Sequence, residues 1–168
     1  MVQLILSLEI AACVFQNCNL YARKPMPYQK NSFTAQGRSD PNQNTGISIH
    51  NCTLQAALDL AMDLNSSFVC YLGRPWHNYS RTVYMQSYIS DVINPLGWLA
   101  WNTTVGLDNV FYGEFENYGP GANTSMRVQW MGYKLMNASE AMNFTVYNFT
   151  MGDAWLHYSN VPFSAGLL

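Results

Sequence analysis

The sequence predicts an all-β solenoid, short strands stacked coil upon coil, with a few short helices set into its loops. Three observations lead there. The stretch Phe15-Gln16-Asn17-Cys18-Asn19-Leu20 returns 34 residues later as Ile49-His50-Asn51-Cys52-Thr53-Leu54, with Asn and Cys in the same register. Such a repeat marks equivalent positions on neighbouring coils. Short β-rich runs recur along the chain, separated by clusters of Gly, Pro and Asn at irregular spacing. Helix is scarce, because few stretches string good helix formers together. An antiparallel β-sandwich is the alternative that the same short strands permit.

Taken in order, the apolar start Met1 to Leu8 lacks a basic residue and is interrupted by Glu9, which argues against a signal-peptide core. Strands are expected at Cys13-Val14-Phe15, Gly46-Ile47-Ser48-Ile49, Thr82-Val83-Tyr84-Met85 and Asn109-Val110-Phe111-Tyr112. Gln55 to Met62 has the propensity for two helical turns, and Ser139 to Phe144 for one. The run Tyr71-Leu72-Gly73-Arg74-Pro75-Trp76-His77 reads as a turn punctuated by Gly and Pro. Asp40-Pro41-Asn42-Gln43-Asn44 is a turn by residue type and needs no metal ion. Glu114 and Glu116, two apart on a presumed strand, are expected on one face about 7 Å apart, as a solvated strand face or in a structural role.

Composition narrows the function. The chain has 168 residues, of which 11% are charged and 14% aromatic, with a net charge of −2. That is one domain or part of one, without the basic stripe that nucleic acid requires. No apolar run approaches the ~20 residues of a membrane span. Asn-x-Ser/Thr sequons begin at Asn51, Asn65, Asn78, Asn102, Asn123, Asn137, Asn143 and Asn148. Composition alone would give about two, so the excess fits a chain made in a glycosylating pathway. Asn65, Asn78, Asn102, Asn123 and Asn137 are the better candidates: Asn51 adjoins a cysteine, and Asn143 and Asn148 crowd each other. The four cysteines, Cys13, Cys18, Cys52 and Cys70, allow three complete pairings and show no metal-ligand spacing.

Chemically the sharpest stretch is Leu72-Gly73-Arg74-Pro75-Trp76. Arg74 carries a planar fork suited to a carboxylate, and Trp76 offers a flat face on which a sugar ring can lie. As chemistry alone the run is first a surface corner with a half-buried tryptophan. As a motif, it resembles the Leu-Gly-Arg-Pro-Trp signature of plant pectin methylesterases, which remove methyl groups from the galacturonate chains of cell-wall pectin. The resemblance extends over residues 11–168. It is carried by Ala11-Ala12-Cys13-Val14-Phe15-Gln16-Asn17-Cys18, Thr34-Ala35-Gln36-Gly37-Arg38-Ser39-Asp40-Pro41-Asn42-Gln43-Asn44-Thr45-Gly46, Gly97-Trp98-Leu99-Ala100-Trp101, Tyr112-Gly113-Glu114-Phe115-Glu116-Asn117 and Val161-Pro162-Phe163-Ser164-Ala165-Gly166-Leu167.

The resemblance implies a right-handed parallel β-helix whose long loops build the substrate cleft. It also implies ester hydrolysis by one aspartate as nucleophile and a second as acid and base, with glutamines at the oxyanion and an arginine orienting the nucleophile. A carboxylate is a weak nucleophile and has to be aimed by a cation and assisted by donors. Arg74 matches that arginine, Trp76 the cleft tryptophan, and Trp98 a further groove aromatic. His77 is expected to be a solvated loop histidine. A Cys18–Cys52 bridge is implied, leaving Cys13 and Cys70 as free buried thiols. No cofactor is implied. Pectin is the implied partner, with a proteinaceous inhibitor as a second; the chain is expected to be a monomer in the plant cell wall.

The nucleophile is missing. Ile5 occupies its place, and Glu9 lies four residues, roughly 13 Å, along the strand. The second aspartate and the oxyanion glutamines belong to blocks that would precede Met1. Residues 1–10 are therefore expected to be an atypical segment joined to residues 11–168, the C-terminal part of an N-terminally truncated catalytic domain. Such a chain is expected to lack esterase activity, and a pectin-binding or inhibitor-binding remnant is the alternative function. A solenoid cut within its stack also exposes strand edges that invite aggregation.

Overall fold

A computed structural model describes residues 2–8, 11–63, 68–101 and 106–168. The chain winds as a parallel β-helix, and each coil contributes strands to three sheets. The first coil holds β1 (Val2–Leu8), β2 (Ala12–Gln16) and β3 (Asn19–Ala22). The second holds β4 (Lys30–Gln36), β5 (Gly46–His50) and β6 (Thr53–Ala56), and the third β7 (Cys70–Pro75), β8 (Arg81–Met85) and β9 (Tyr88–Ile89). Two more rungs follow, β10 (Phe111–Phe115) and β11 (Tyr133–Leu135). The sheets run β1-β4-β7, β11-β10-β8-β5-β2 and β3-β6-β9. All their ladders are parallel, which removes the sandwich alternative.

The repeated motif is the corner between two sheets. Gln16 pairs with His50 and Asn19 with Thr53, so the two copies stack rung on rung. The corner residues Asn17, Asn51, Gln86 and Glu116 all adopt positive φ, between 47° and 57°. Asn takes this left-handed conformation readily, whereas Gln and Glu adopt it less often. Asn51 Nδ2 donates to Asn17 Oδ1 at 2.7 Å, tying one corner to the next. Asn51 is exposed there.

Alternation along the strands explains the core. Tyr84 and Tyr112 point into the coil with Ile47, Ile49, Leu72 and Trp98. Val83, Met85 and Phe115 point outward, where Phe144 and Phe149 cover them. Both faces of the inner strands β5, β8 and β10 are thereby buried. The outer cover comes from α2 (Ala138–Met142) and α3 (Val146–Thr150). Asn137 caps α2 in a capping box with Glu140, and Thr145 caps α3.

Three expected elements differ. Helix over Gln55 to Met62 is confined to α1 (Leu58–Ala61), because Gln55 and Ala56 pair with Tyr21 and Ala22 in β6. Ladder hydrogen bonds and burial override helix propensity there. The strand placed at Asn109 to Tyr112 begins two residues later, at Phe111. Cys70 to Pro75 is not a turn but a buried strand paired with β4; the chain turns only from Trp76 to Ser80. Gly73 is required in that strand, since a Cβ would stand 2.3 Å from Thr34 Oγ1 and 3.0 Å from the Trp98 ring.

Candidate functional site

Arg74 is the centre of the site. It lies on β7 in the row Ser7–Ala35–Arg74 and is 8% exposed. A guanidinium NH2 donates to the carbonyls of Trp101, at 2.9 Å, and Ala100, at 3.3 Å. The guanidinium carbon sits 4.1 Å from the centre of the Trp101 ring, within cation–π range. Burial pushes the guanidinium pKa below its ordinary value. Its Nε is buried without a partner. The ion pairs among the described residues are Arg23–Asp59, Lys24–Asp63, Glu114–Arg127 and Lys134–Glu140, so no carboxylate among them neutralises Arg74.

An aromatic platform continues from this cation. Trp76 stacks on Trp101 with ring centres 6.2 Å apart and planes 27° apart, and exposed His77 stacks on Trp76 at 5.6 Å. Both tryptophans are half-buried, so each keeps accessible ring surface. The turn that presents them is fastened by Ser80, whose hydroxyl donates to the Gln36 and His77 carbonyls and accepts from the His77 amide at 3.2 Å. His77 is thus a loop residue of the platform's edge, and among the described residues no hydrogen bond reaches its ring.

Trp98 is not part of this surface. It is 1% exposed, stacked on Tyr112 at 4.3 Å and edge-on to Tyr84, and its indole donates to Glu114 Oε1 at 3.2 Å. The reason is register. Trp98 bridges Gly73, whose missing side chain leaves interior space for the indole. Trp101, three residues on, has left that ladder and meets Trp76. Trp98, expected as the groove aromatic, is separated from Trp101 by the rung on which each falls.

Glu114 and Glu116 do not share a solvated face either. Glu114 points inward with Tyr112, 2% exposed, and receives Arg127 Nε at 2.8 Å and a terminal NH2 at 3.1 Å. Glu116 lies beyond the end of β10 at a positive-φ corner and is exposed, so the strand alternation does not reach it. The Asp40 loop is an Asx turn, with Oδ1 accepting from the Asn42 amide at 2.9 Å.

Ile5 lies in β1, two residues before the Ser7–Ala35–Arg74 row and two strands from β7, a displacement of about 12 Å. Residues 2–8 form a strand of the solenoid, so the segment expected to be foreign is incorporated into the sheet. Cys18 and Cys52 do stack, the Cys18 amide donating to Cys52 Sγ at 3.4 Å, but both are free thiols and not the expected bridge. Burial pushes the Cys52 thiol up to about 11. Cys13 and Cys70 are also free; Cys70 is buried and Cys13 half-buried. Of the sequon residues, Asn78, Asn123 and Asn137 are exposed, while Asn65 and Asn102 lie outside the described residues.

Comparison with known proteins accounts for this arrangement. A family model described as Pectinesterase matches residues 6–153. The chain is 66% identical over 158 residues to a protein of Arabidopsis thaliana named Probable pectinesterase/pectinesterase inhibitor 25, covering 94% of this chain and 25% of that protein. Pectinesterase 2 of Citrus sinensis is 51% identical over the same length, of which 31% of that protein is covered. The chain therefore spans about a quarter to a third of these relatives. Among solved structures, pectin methylesterase from carrot superposes with a TM-score of 0.88 at 52% identity, covering 92% of this chain and 48% of that one. The deglycosylated pectin methylesterase of Aspergillus niger gives 0.63 at 26% identity, covering 82% and 44%. The match of fold, of sequence and of the Arg74–Trp76 strand end agree: the chain belongs to the pectinesterase family.

Proposed function

We propose that this chain binds the homogalacturonan substrate of a pectin methylesterase through Arg74, Trp76 and Trp101, and that alone it does not hydrolyse the methyl ester. The observation that carries the reading is Arg74, a buried guanidinium with an unpartnered Nε and no carboxylate partner, set against an aromatic platform. A galacturonate carboxylate supplies the missing acceptor, and its sugar ring offers an apolar face to tryptophan. Transfer of the galacturonyl acyl group from methanol to water needs a nucleophile that Arg74 orients, and the family position for it is Ile5. The exposed amides of Asn78, Asn123 and Asn137 suit glycosylation, consistent with service in the plant cell wall, where a proteinaceous inhibitor is a further partner.

The test is calorimetric titration of the folded chain with oligogalacturonides, alongside methanol release from highly methylated homogalacturonan. Saturable binding that Trp76→Ala weakens, without methanol above background, is the expected result. Methanol release at ordinary esterase rates overturns the inactive reading, and absence of binding overturns the substrate assignment. A second reading has the same wall completed by further coils of a longer product. The open edges of β1, β2 and β3 favour it, because each is a terminal strand of its sheet. An upstream reading frame encoding an Asp-Phe-Ile-Phe-Gly-like strand supports it; its lack in every transcript removes it for this locus.

A further inference from the structure

We infer that His50 is a protonation-sensitive latch for the C-terminal segment Ser164–Leu168. The polarity of every bond around the ring can be deduced without locating a hydrogen. Gln16 Oε1 accepts from the Ser164 amide at 2.8 Å while Gln16 Nε2 donates to the Ser164 carbonyl at 2.9 Å, and these two bonds fix which end of the Gln16 amide is nitrogen. That nitrogen lies 3.1 Å from His50 Nδ1, so Nδ1 is an acceptor and carries no proton. On the other side, Gln86 Oε1 accepts from the Leu168 amide at 2.9 Å, and Gln86 Nε2 donates to the Leu168 main-chain oxygen at 2.6 Å and to Glu116 Oε2 at 3.2 Å. The oxygen of Gln86 therefore faces His50 Nε2, 3.0 Å away, which must donate. Neutral histidine protonated on Nε2 satisfies all seven contacts at once.

A second proton on Nδ1 breaks the pattern. It points at an NH2 group, and Gln16 relieves the clash only by turning its amide over, which opposes both bonds to Ser164. The ring, the two glutamines and the two ends of the tail thus act as a single unit. Leu167, between those ends, packs on the outer apolar cluster with Val83 and Phe115, and the Tyr147 amide holds Ala165 at 2.9 Å as the anchor that protonation does not touch.

The ionisable groups around the ring are few. On and after β2 and β5 they are the thiols of Cys18 and Cys52, with Cys52 Sγ 3.4 Å from the His50 carbonyl oxygen. Beyond β10 it is Glu116, reached through Gln86. No lysine or arginine among the described residues bonds to any member of this row. Burial outweighs the hydrogen bond to Gln86 and holds the imidazole below its ordinary value. The folded state therefore favours the neutral ring, so the latch is fully closed above about pH 6.5 and weakens as pH falls below it.

The test is hydrogen–deuterium exchange of the full chain from about pH 8 to about pH 5, corrected for intrinsic exchange, with the His50 ring nitrogens followed by NMR over the same range. Protection of the peptide spanning 160–168 is expected to fall by roughly tenfold, while peptides from β5 and β8 hold theirs. Its midpoint is expected to coincide with the His50 titration. In His50→Gln, whose amide can donate and accept but does not titrate, the tail is expected to lose its pH dependence. Constant tail protection in the wild type, a midpoint displaced from the His50 titration, or an unchanged pH profile in His50→Gln each overturns the latch. The wild-type comparison decides the matter even where the variant does not fold.

Discussion

Glu114→Gln removes one charge from the interior and changes almost nothing in shape. Glu114 accepts three hydrogen bonds, from Trp98 Nε1 and from two nitrogens of Arg127, and Arg127 has side-chain exposure of only 1%. With a neutral amide in place of the carboxylate, that guanidinium loses its counter-charge and one of the two acceptor oxygens, keeping the amide oxygen and the carbonyls of Pro95 and Gly121. Leaving a buried charge unpaired costs about 3–5 kcal/mol. For a domain of this size, each kcal/mol moves Tm by about 2–4 °C, so a drop of roughly 10 °C is expected in thermal unfolding followed by near-ultraviolet circular dichroism. The double replacement Glu114→Met with Arg127→Met removes both charges and is expected to recover most of the loss, because well-packed apolar side chains commonly match a buried ion pair. A Glu114→Gln protein within about 1 kcal/mol of wild type, or a double variant less stable than either single one, refutes this account.

Trp101→Ala removes the ring beneath Arg74 and is expected to weaken oligogalacturonide binding by about 0.5–2 kcal/mol with little change in Tm, whereas Trp98→Ala is expected to cost about 3–5 kcal/mol of stability. The reverse pattern, binding lost with Trp98 and stability lost with Trp101, sinks the separation of the two roles. The Cys52 thiol, pushed up to about 11 by burial, is favoured in its protonated form by the folded state. Its contribution is therefore intact below the ordinary thiol pKa of 9.0 and is lost as pH rises from there towards about 11. In native-state iodoacetamide labelling at about pH 8, Cys52 is expected to react more slowly than half-buried Cys13; faster modification of Cys52 contradicts its burial.

The solenoid was legible because its signal is local and repeated. Phe15-Gln16-Asn17-Cys18 and Ile49-His50-Asn51-Cys52 announce the same corner twice, and the structure stacks them rung on rung. The other two corners, Gln86 and Glu116, carry no such signature, since the backbone conformation is shared while the side chains are not. Gln55 and Ala56 misled for the opposite reason. Their residue types favour helix, and only pairing with β3, distant in sequence, makes them strand. The polar row through Gln16, His50 and Gln86 was likewise invisible, because its members come from three coils and meet only when the coils stack.

Family and parallel β-helix are legible in contiguous residues, such as the Arg74–Trp76 motif, whose chemistry is read without neighbours. Tertiary structure decided which aromatic faces solvent, whether a glutamate is wet or paired, and what holds the C-terminal tail. Trp98 and Trp101 are three residues apart and chemically identical. One bridges Gly73 and disappears into the coil; the other leaves the ladder and lies over Arg74. Burial is a property of the rung on which a side chain falls, and rungs are set by long-range pairing that no short stretch of sequence contains.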